Sequence, residues 1–338
     1  MQVTITGGAG FIGTNVAAEW AERGARVVVL DNLSRRGVEA NLDWLTARFG
    51  DSVRFIKADA ADPEAANRSV QGSDVVYHFA SQVAVTTSLV DPMLDFRSNA
   101  ESALVMLEAT RHHAPEAVFF YTSTNKVYGE MEDVELQEDA TRYSAPDWPN
   151  GIDESRPLDF HSPYGCSKGA GDQYTHDYAR IFGLRTVVFR MSCIYGVHQW
   201  GNEDQGWVMH FARSVCDGRP ITVCGDGKQV RDVLFITDLV DAFFKAYEAI
   251  DLTAGEVFNI GGGPANSVSL IELLEMLEVE TCRKAAVQES DWRAGDQRYY
   301  CSDASKALEL FGWKPTVSPE EGVRRILHWI ENRDLKDV

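Results

Sequence analysis

Long apolar runs are missing from this chain of 338 residues. None approaches the roughly 20 residues that a membrane-crossing helix needs, so no membrane partner is expected. Paired cysteines are missing too. The six present (Cys166, Cys193, Cys216, Cys224, Cys282, Cys301) are scattered, without a Cys-x-x-Cys pair. That argues against a disulfide framework or a zinc centre and for reduced thiols. The opening residues lack a basic stretch followed by an apolar core, so no secretory leader is expected and a cytoplasmic location is. Positive charge is scarce, with 32 Lys and Arg against 51 Asp and Glu and a formal net charge of −19. Such a field repels nucleic acid, and no nucleic-acid partner is expected. It also means that an anionic ligand must be held by local amides, helix N-termini and a few arginines.

What is present is an ordinary globular balance, 44% hydrophobic and 25% charged residues, with enough length for a large core and two lobes. Short β-branched runs at 3–6, 26–30, 53–56, 75–79, 118–121 and 186–189 read as buried strands. Helical patterns at 12–23, 93–113 and 164–182 lie among them, the first and last stopped by Gly24 and Gly183. Strands alternating with helices predict an α/β fold with a doubly wound parallel sheet. Beyond residue 195 the pattern loosens. A clean helix at 239–250 suggests that 230–250 returns to the sheet domain, and the rest reads as a smaller, discontinuous C-terminal lobe. The stretch 130–161 is long, acidic and rich in Pro, Trp and Tyr, and reads as a functional loop.

Two constellations carry chemistry. Thr6-Gly7-Gly8-Ala9-Gly10-Phe11-Ile12-Gly13 joins the first strand to the first helix. Glycines at 7, 10 and 13 permit a tight turn, close approach of backbone to a pyrophosphate and close helix–sheet packing. Asp31 ends the second strand, where a carboxylate accepts ribose hydroxyls and repels a 2′-phosphate, which favours NAD. Arg35 and Arg36 pull slightly the other way. Asp59 is placed to meet an adenine amine, and small residues in Phe79-Ala80-Ser81-Gln82 let a cofactor pass.

The second constellation is Tyr164 and Lys168, one helical turn apart and so on one face. A nearby ammonium favours phenolate, so the pair reads as a general base. Thr122-Ser123-Thr124 ends a strand with three hydroxyls, and ligands of parallel sheets gather beyond such ends. A glycine loop, a hydroxyl and a Tyr–Lys pair together predict redox chemistry on an alcohol.

These motifs, with Val127-Tyr128-Gly129, Arg231-Asp232-Val233 and Phe258-Asn259-Ile260-Gly261-Gly262, resemble in order the extended short-chain dehydrogenase/reductases that modify nucleotide sugars. The resemblance covers nearly the whole chain. It implies a Rossmann-type NAD-binding domain (1–190 plus 230–250) and a nucleotide-sugar lobe (191–229 plus 251–338). It implies Thr124, Tyr164 and Lys168 as the catalytic set. The expected cofactor contacts are completed by Asn32, Ser34, Ala60 and Asn99. Asn125, His161 and Ser192 are candidates for the sugar, and Arg231 and Arg298 for its diphosphate, because planar guanidinium forks suit phosphate oxygens.

Dehydratases of this family place Asp-Glu after the Thr as acid and base. Here Asn125-Lys126 follow Thr124, which argues against dehydration. The run 123–129, Pro149-Asn150-Gly151, 158–168 and Asp204-Gln205-Gly206-Trp207 are similar to the branch that inverts carbon 2 of a CDP-hexose. The implied reaction is transient oxidation to a ketone with hydride returned to the other face. A UDP-sugar 4-epimerase, a nucleotide-sugar decarboxylase, a net dehydrogenase and a catalytically dead NAD-sensing regulator remain as alternatives. Apolar stripes on 93–113 and 164–182 fit pairing into a homodimer or homotetramer.

Overall fold

The computed structural model describes residues 1–293 and 295–332. Positions 333–338 of the expected smaller lobe lie outside the described residues. The chain begins with strand β1 (Gln2–Thr6), helix α1 (Phe11–Glu22), β2 (Arg26–Asp31), α2 (Val38–Phe49), β3 (Val53–Lys57), α3 (Pro63–Val70) and β4 (Val75–His78). Then come the short helices α4 (Val85–Val90) and α5 (Pro92–Phe96), α6 (Ser102–His113), β5 (Val118–Thr124) and the long α7 (Ser162–Phe182). Strands Arg185–Met191 and Glu256–Ile260 complete a seven-stranded parallel sheet, whose order is 256–260, 185–191, β5, β4, β1, β2, β3. The order reverses between β1 and β4. That is where a doubly wound sheet opens a crevice beyond its strand ends.

Burial explains why these runs are strands. All seven residues of β5 and all four of β4 are buried, so β-branched and aromatic side chains meet helices on both faces. One face is filled by an aromatic cluster. Phe243, from the helix Ile236–Glu248, lies 5.3 Å from Tyr77, 5.6 Å from Phe120 and 4.9 Å from Phe189. The other face is held by α6 and α7. Pro163 lies in the first turn of α7, and Gly183, in the left-handed region, ends the helix.

The structure departs from the sequence reading in three places. The strand Val230–Phe235 does not join the large sheet. It pairs with Cys193–Tyr195, Ser267–Ser269 and Tyr299–Tyr300 in the smaller lobe. The large sheet instead takes Glu256–Ile260, from a segment assigned above to that lobe. The reason is the intervening helix 236–248, which packs on the sheet and returns the chain beside the strand 185–191, as parallel crossovers do. The helix expected over 93–113 is interrupted by a π-helical segment, Arg97–Glu101, a feature that often marks a functional site. The stretch 130–161 carries a hairpin of Gln137–Glu138 with Tyr143–Ser144. It has its own small core around Tyr128, Met131, Val134, Ile152 and Tyr300 and is stitched to the smaller lobe by Ile152 N–H on the Cys301 carbonyl at 2.7 Å. Among the described residues no helix is long and apolar enough to cross a membrane.

Candidate active site

The glycine turn closes on itself, with Gly10 N–H on the Gly7 carbonyl at 3.0 Å. Gly7 has φ 63°, and a Cβ there would meet the Ala80 nitrogen at 2.8 Å; one on Gly13 would meet the Gly7 carbonyl oxygen at 2.3 Å. These positions admit glycine alone, and they put bare backbone at the N-terminus of α1, where Phe11 and Ile12 form the first turn. Ala80 N–H donates to the Thr6 hydroxyl at 3.1 Å, so the end of β4 seals the turn. Such a cradle fits a pyrophosphate.

At the edge, the Asp31 carboxylate accepts from Ala9 N–H at 3.1 Å and Leu33 N–H at 2.8 Å. Burial raises its pKa, while those two bonds and Arg35 oppose the rise. Asn32 donates to Asp59 at 3.0 Å, and Ser34 N–H donates to Asn32 at 3.0 Å. Ala60 is buried beside them. Arg35 lies within electrostatic reach of both Asp31 and Tyr164.

The chemical end sits where β5 runs out against the first turns of α7. Thr124, the last strand residue, faces Tyr164 and acts to lower its pKa, and its hydroxyl donates to the Asn125 amide oxygen at 3.3 Å. Tyr164 and Lys168 are 8% and 4% exposed, so neither phenol nor amine is levelled by water. Burial pushes Tyr164 up to about 12, with Thr124 and Arg35 acting in the lowering direction and Asp95 in the raising one. Lys168 is pushed down to about 7 by burial, against Asp172 and Asp95. Its ammonium donates to the Thr122 carbonyl at 2.6 Å and lies 4.4 Å from the Tyr121 ring centroid. The Tyr–Lys spacing predicts that Lys168 lowers Tyr164. In the structure the lowering groups are Thr124 and Arg35, because Lys168 turns toward the strand.

Asp95, which sequence reasoning missed, completes this end together with Asn99, which it expected among the cofactor contacts. The π-helical segment turns Asn99 inward, where its amide oxygen accepts from Gln82 N–H at 2.9 Å and its amide group donates to Ser167 at 3.0 Å. Asp95 accepts from Gln82, Asn99 and Ser167 at 2.9, 3.2 and 2.5 Å. Its signal was an acid set among Met93, Leu94 and Phe96, an inversion in which the apolar neighbours are exposed and the acid is fully buried. The Ser123 hydroxyl is buried with no hydrogen-bond partner among the described residues, an orphan that a ligand amide would satisfy. Phe79 packs on Tyr77 at 5.4 Å and closes the floor.

On the sugar side, His161 lies at the start of α7 against Asp159 (3.0 Å) and Glu130 (3.5 Å). Asn125 donates to Gln297 at 3.4 Å. The other candidates are committed within the protein. The Ser192 hydroxyl donates to the Asp232 backbone carbonyl at 2.9 Å and to its carboxylate, which needs it because Asp232 is fully buried. Arg231 pairs with Asp296 at 2.7 Å and donates to the Gln297 carbonyl at 2.5 Å. Arg298 lies over the Trp292 and Tyr143 rings.

Comparison with known proteins agrees with this geometry. The model of the "NAD dependent epimerase/dehydratase family" matches residues 3–261. The chain is 43% identical over 336 residues to CDP-paratose 2-epimerase of Salmonella typhi, covering 97% of this chain and 99% of that one. It superposes with a TM-score of 0.82 and 29% identity on the UDP-glucose 4-epimerase of Thermus thermophilus solved with NAD, covering 98% and 99% of the two chains. The UDP-glucuronic acid 4-epimerase of Bacillus cereus, solved with UDP-glucuronic acid and NAD, gives a TM-score of 0.84 at 27% identity, with the same coverage.

Proposed function

This chain belongs to the NAD-dependent epimerase/dehydratase family, and from that premise we propose that it inverts carbon 2 of a CDP-hexose, in a conversion of the CDP-paratose to CDP-tyvelose kind. The observation that carries an epimerase rather than a dehydratase is the sequence around the hydroxyl that faces Tyr164: Thr124 is followed by an amide and a cation, with no carboxylic acid to expel water. The 43% identity to a CDP-paratose 2-epimerase supports the choice of carbon and base.

Bound NAD would supply the reversible hydride acceptance that such an inversion needs. The rest is done by the chain's own residues. The glycine cradle, Asp31 and the Asn32–Asp59 pair hold the dinucleotide, and Asp31 disfavours a 2′-phosphate. Tyr164 as phenolate takes the proton of the reacting hydroxyl and later gives it back. Thr124 fixes that hydroxyl, and the buried setting keeps water from the transient ketone. Since burial raises Tyr164 to about 12, positive charge is needed to form phenolate near neutrality; Arg35 acts in that direction, and the nicotinamide ring of bound NAD would add to it.

We assign residues 1–190, with the helix 236–248 and the strand 256–260, to cofactor binding, and the rest of the chain after 191 to the nucleotide sugar. The enzyme is cytoplasmic in this reading. It assembles as a homo-oligomer through Met93, Leu94 and Phe96 of α5 with Tyr174, Ile181 and Phe182 of α7, all exposed apolar side chains that a second copy would cover.

The test is product analysis by NMR after incubation with CDP-paratose, CDP-glucose and UDP-glucose. The expected product is inverted at carbon 2, with no net rise in absorbance at 340 nm and no solvent deuterium at the inverted carbon. Inversion at carbon 4 of the UDP-sugar instead would establish the second reading, which the Thermus neighbour favours.

A further inference from the structure

Lys126 follows Thr124 by two residues, and its backbone N–H donates to the Thr124 hydroxyl at 3.3 Å. Helix α7 packs on this turn: a Cβ on Gly165, next to Tyr164, would lie 3.5 Å from the Lys126 carbonyl oxygen. The side chain is partly buried. It lines a cavity of about 180 Å³ together with Val85, Leu89, Glu130, His161 and Gly295. The ammonium donates to the Gly295 carbonyl at 3.0 Å. An ammonium carries three N–H groups, and this bond uses one.

Charge around this amine is unusual for so acidic a chain. Arg231, from the smaller lobe's sheet, repels it; Asp296, Cys193 and Glu130 act the other way. Asp296 is itself paired with Arg231 at 2.7 Å, and Glu130 is shared with His161 at 3.5 Å. Two cations thus face each other at the turn that follows Thr124, with their nearest carboxylates divided between partners. Burial and Arg231 together bring Lys126 down to about 8.

Sugar chemistry gives such a cation a task. In a nucleoside diphosphate sugar the distal phosphate is attached through one oxygen to carbon 1, the neighbour of carbon 2. Presenting carbon 2 to Tyr164 therefore brings a phosphate to the edge of the catalytic pair. Presenting carbon 4 leaves that phosphate across the ring. A lysine acts on phosphate as a point charge, and it needs no fixed approach angle.

We propose that Lys126 grips the sugar-bearing phosphate of the substrate and so presents carbon 2, rather than carbon 4, to Tyr164. This rests on the carbon-2 reading above, and its test separates the two. Calorimetric titration of the NAD-loaded enzyme with CDP and with CMP, which lacks the distal phosphate, reports on the contact without turnover. Lys126→Gln loses at least tenfold in CDP affinity and leaves CMP affinity unchanged, whereas Lys126→Arg keeps most of the CDP affinity. In the wild type the CDP affinity falls as pH rises through about 8, and in Lys126→Arg that fall disappears because a guanidinium stays charged. Steady-state kinetics with the CDP-sugar show a raised KM in Lys126→Gln.

Equal binding of CDP by wild type and Lys126→Gln overturns the inference. So does an equal loss of CDP and CMP, which marks Lys126 as a strap for the loop at Gly295. If the wild type prefers UDP or inverts carbon 4, the carbon-2 reading fails on its own. The UDP and UMP pair then carries the same comparison for the phosphate contact.

Discussion

The Ser167 hydroxyl donates to Asp95 at 2.5 Å, one residue before Lys168 and three after Tyr164. Asp95 is fully buried and also accepts from Gln82 and Asn99. One carboxylate thereby ties the end of β4, the π-helical segment and the catalytic helix together. Asp95→Asn replaces an acceptor of all three donors by a group that has one acceptor and a donor of its own. We expect a loss of about 1–3 kcal/mol in stability by urea unfolding. The charge also raises Tyr164; removing it makes phenolate easier to form, so the acid limb of the kcat–pH profile moves to lower pH. An unmoved limb would leave Asp95 a purely structural residue.

Tyr164→Phe deletes the proton acceptor and little else, since the phenol ring remains packed. The expected result is a folded, NAD-retaining enzyme whose turnover falls by about 10²–10⁴, the usual reach of a positioned general base. Near-native epimerisation by NMR in this variant would take Tyr164 out of that role.

The parallel sheet was legible in the sequence because its strands are buried on both faces and read as unbroken β-branched runs. The glycine turn and the Tyr164–Lys168 spacing were legible because each is a local rule of backbone or helix geometry. Asp95 and Lys126 were not. An isolated acid in Met93-Leu94-Asp95-Phe96 reads as the polar face of an amphipathic helix, and the π-helical segment that follows it leaves no periodic trace. The exchange between 230–235 and 256–260 was hidden for a related reason: both are short apolar runs, and pairing at long sequence separation decided which sheet each joined. Ser192 and Arg231 looked available because partners such as Asp232 and Asp296 are visible only once the smaller lobe is folded.

Lys168 makes stability depend on pH with a definite sign. Its value is lowered from 10.5 to about 7, so between those limits the unfolded chain binds a proton that the folded chain lacks. Stability from this group therefore rises with pH across that interval. Below about 7 the folded state bears the full cost, on the order of a few kcal/mol at ~1.4 kcal/mol per unit. Lys168→Met is expected to be more resistant to urea than the wild type at pH 6, with the advantage shrinking by pH 9, while turnover collapses. A constant difference at both pH values would show that the amine is not desolvated in the folded state.

Gly171 sets how closely α7 approaches β5. A Cβ there would lie 2.3 Å from the Tyr121 hydroxyl oxygen, and Tyr121 is 1% exposed and donates to the Lys168 carbonyl at 3.2 Å. In an exposed helix, Gly→Ala gains up to about 1 kcal/mol; here overpacking costs about 1–3 kcal/mol, and the clash wins because the Tyr121 ring has no free space to enter. Its ring also carries the Lys168 ammonium at 4.4 Å, so moving it displaces the amine as well as the helix. Gly171→Ala should therefore lower both Tm by calorimetry and kcat, whereas a substitution that merely improved helix propensity would raise Tm and leave kcat alone.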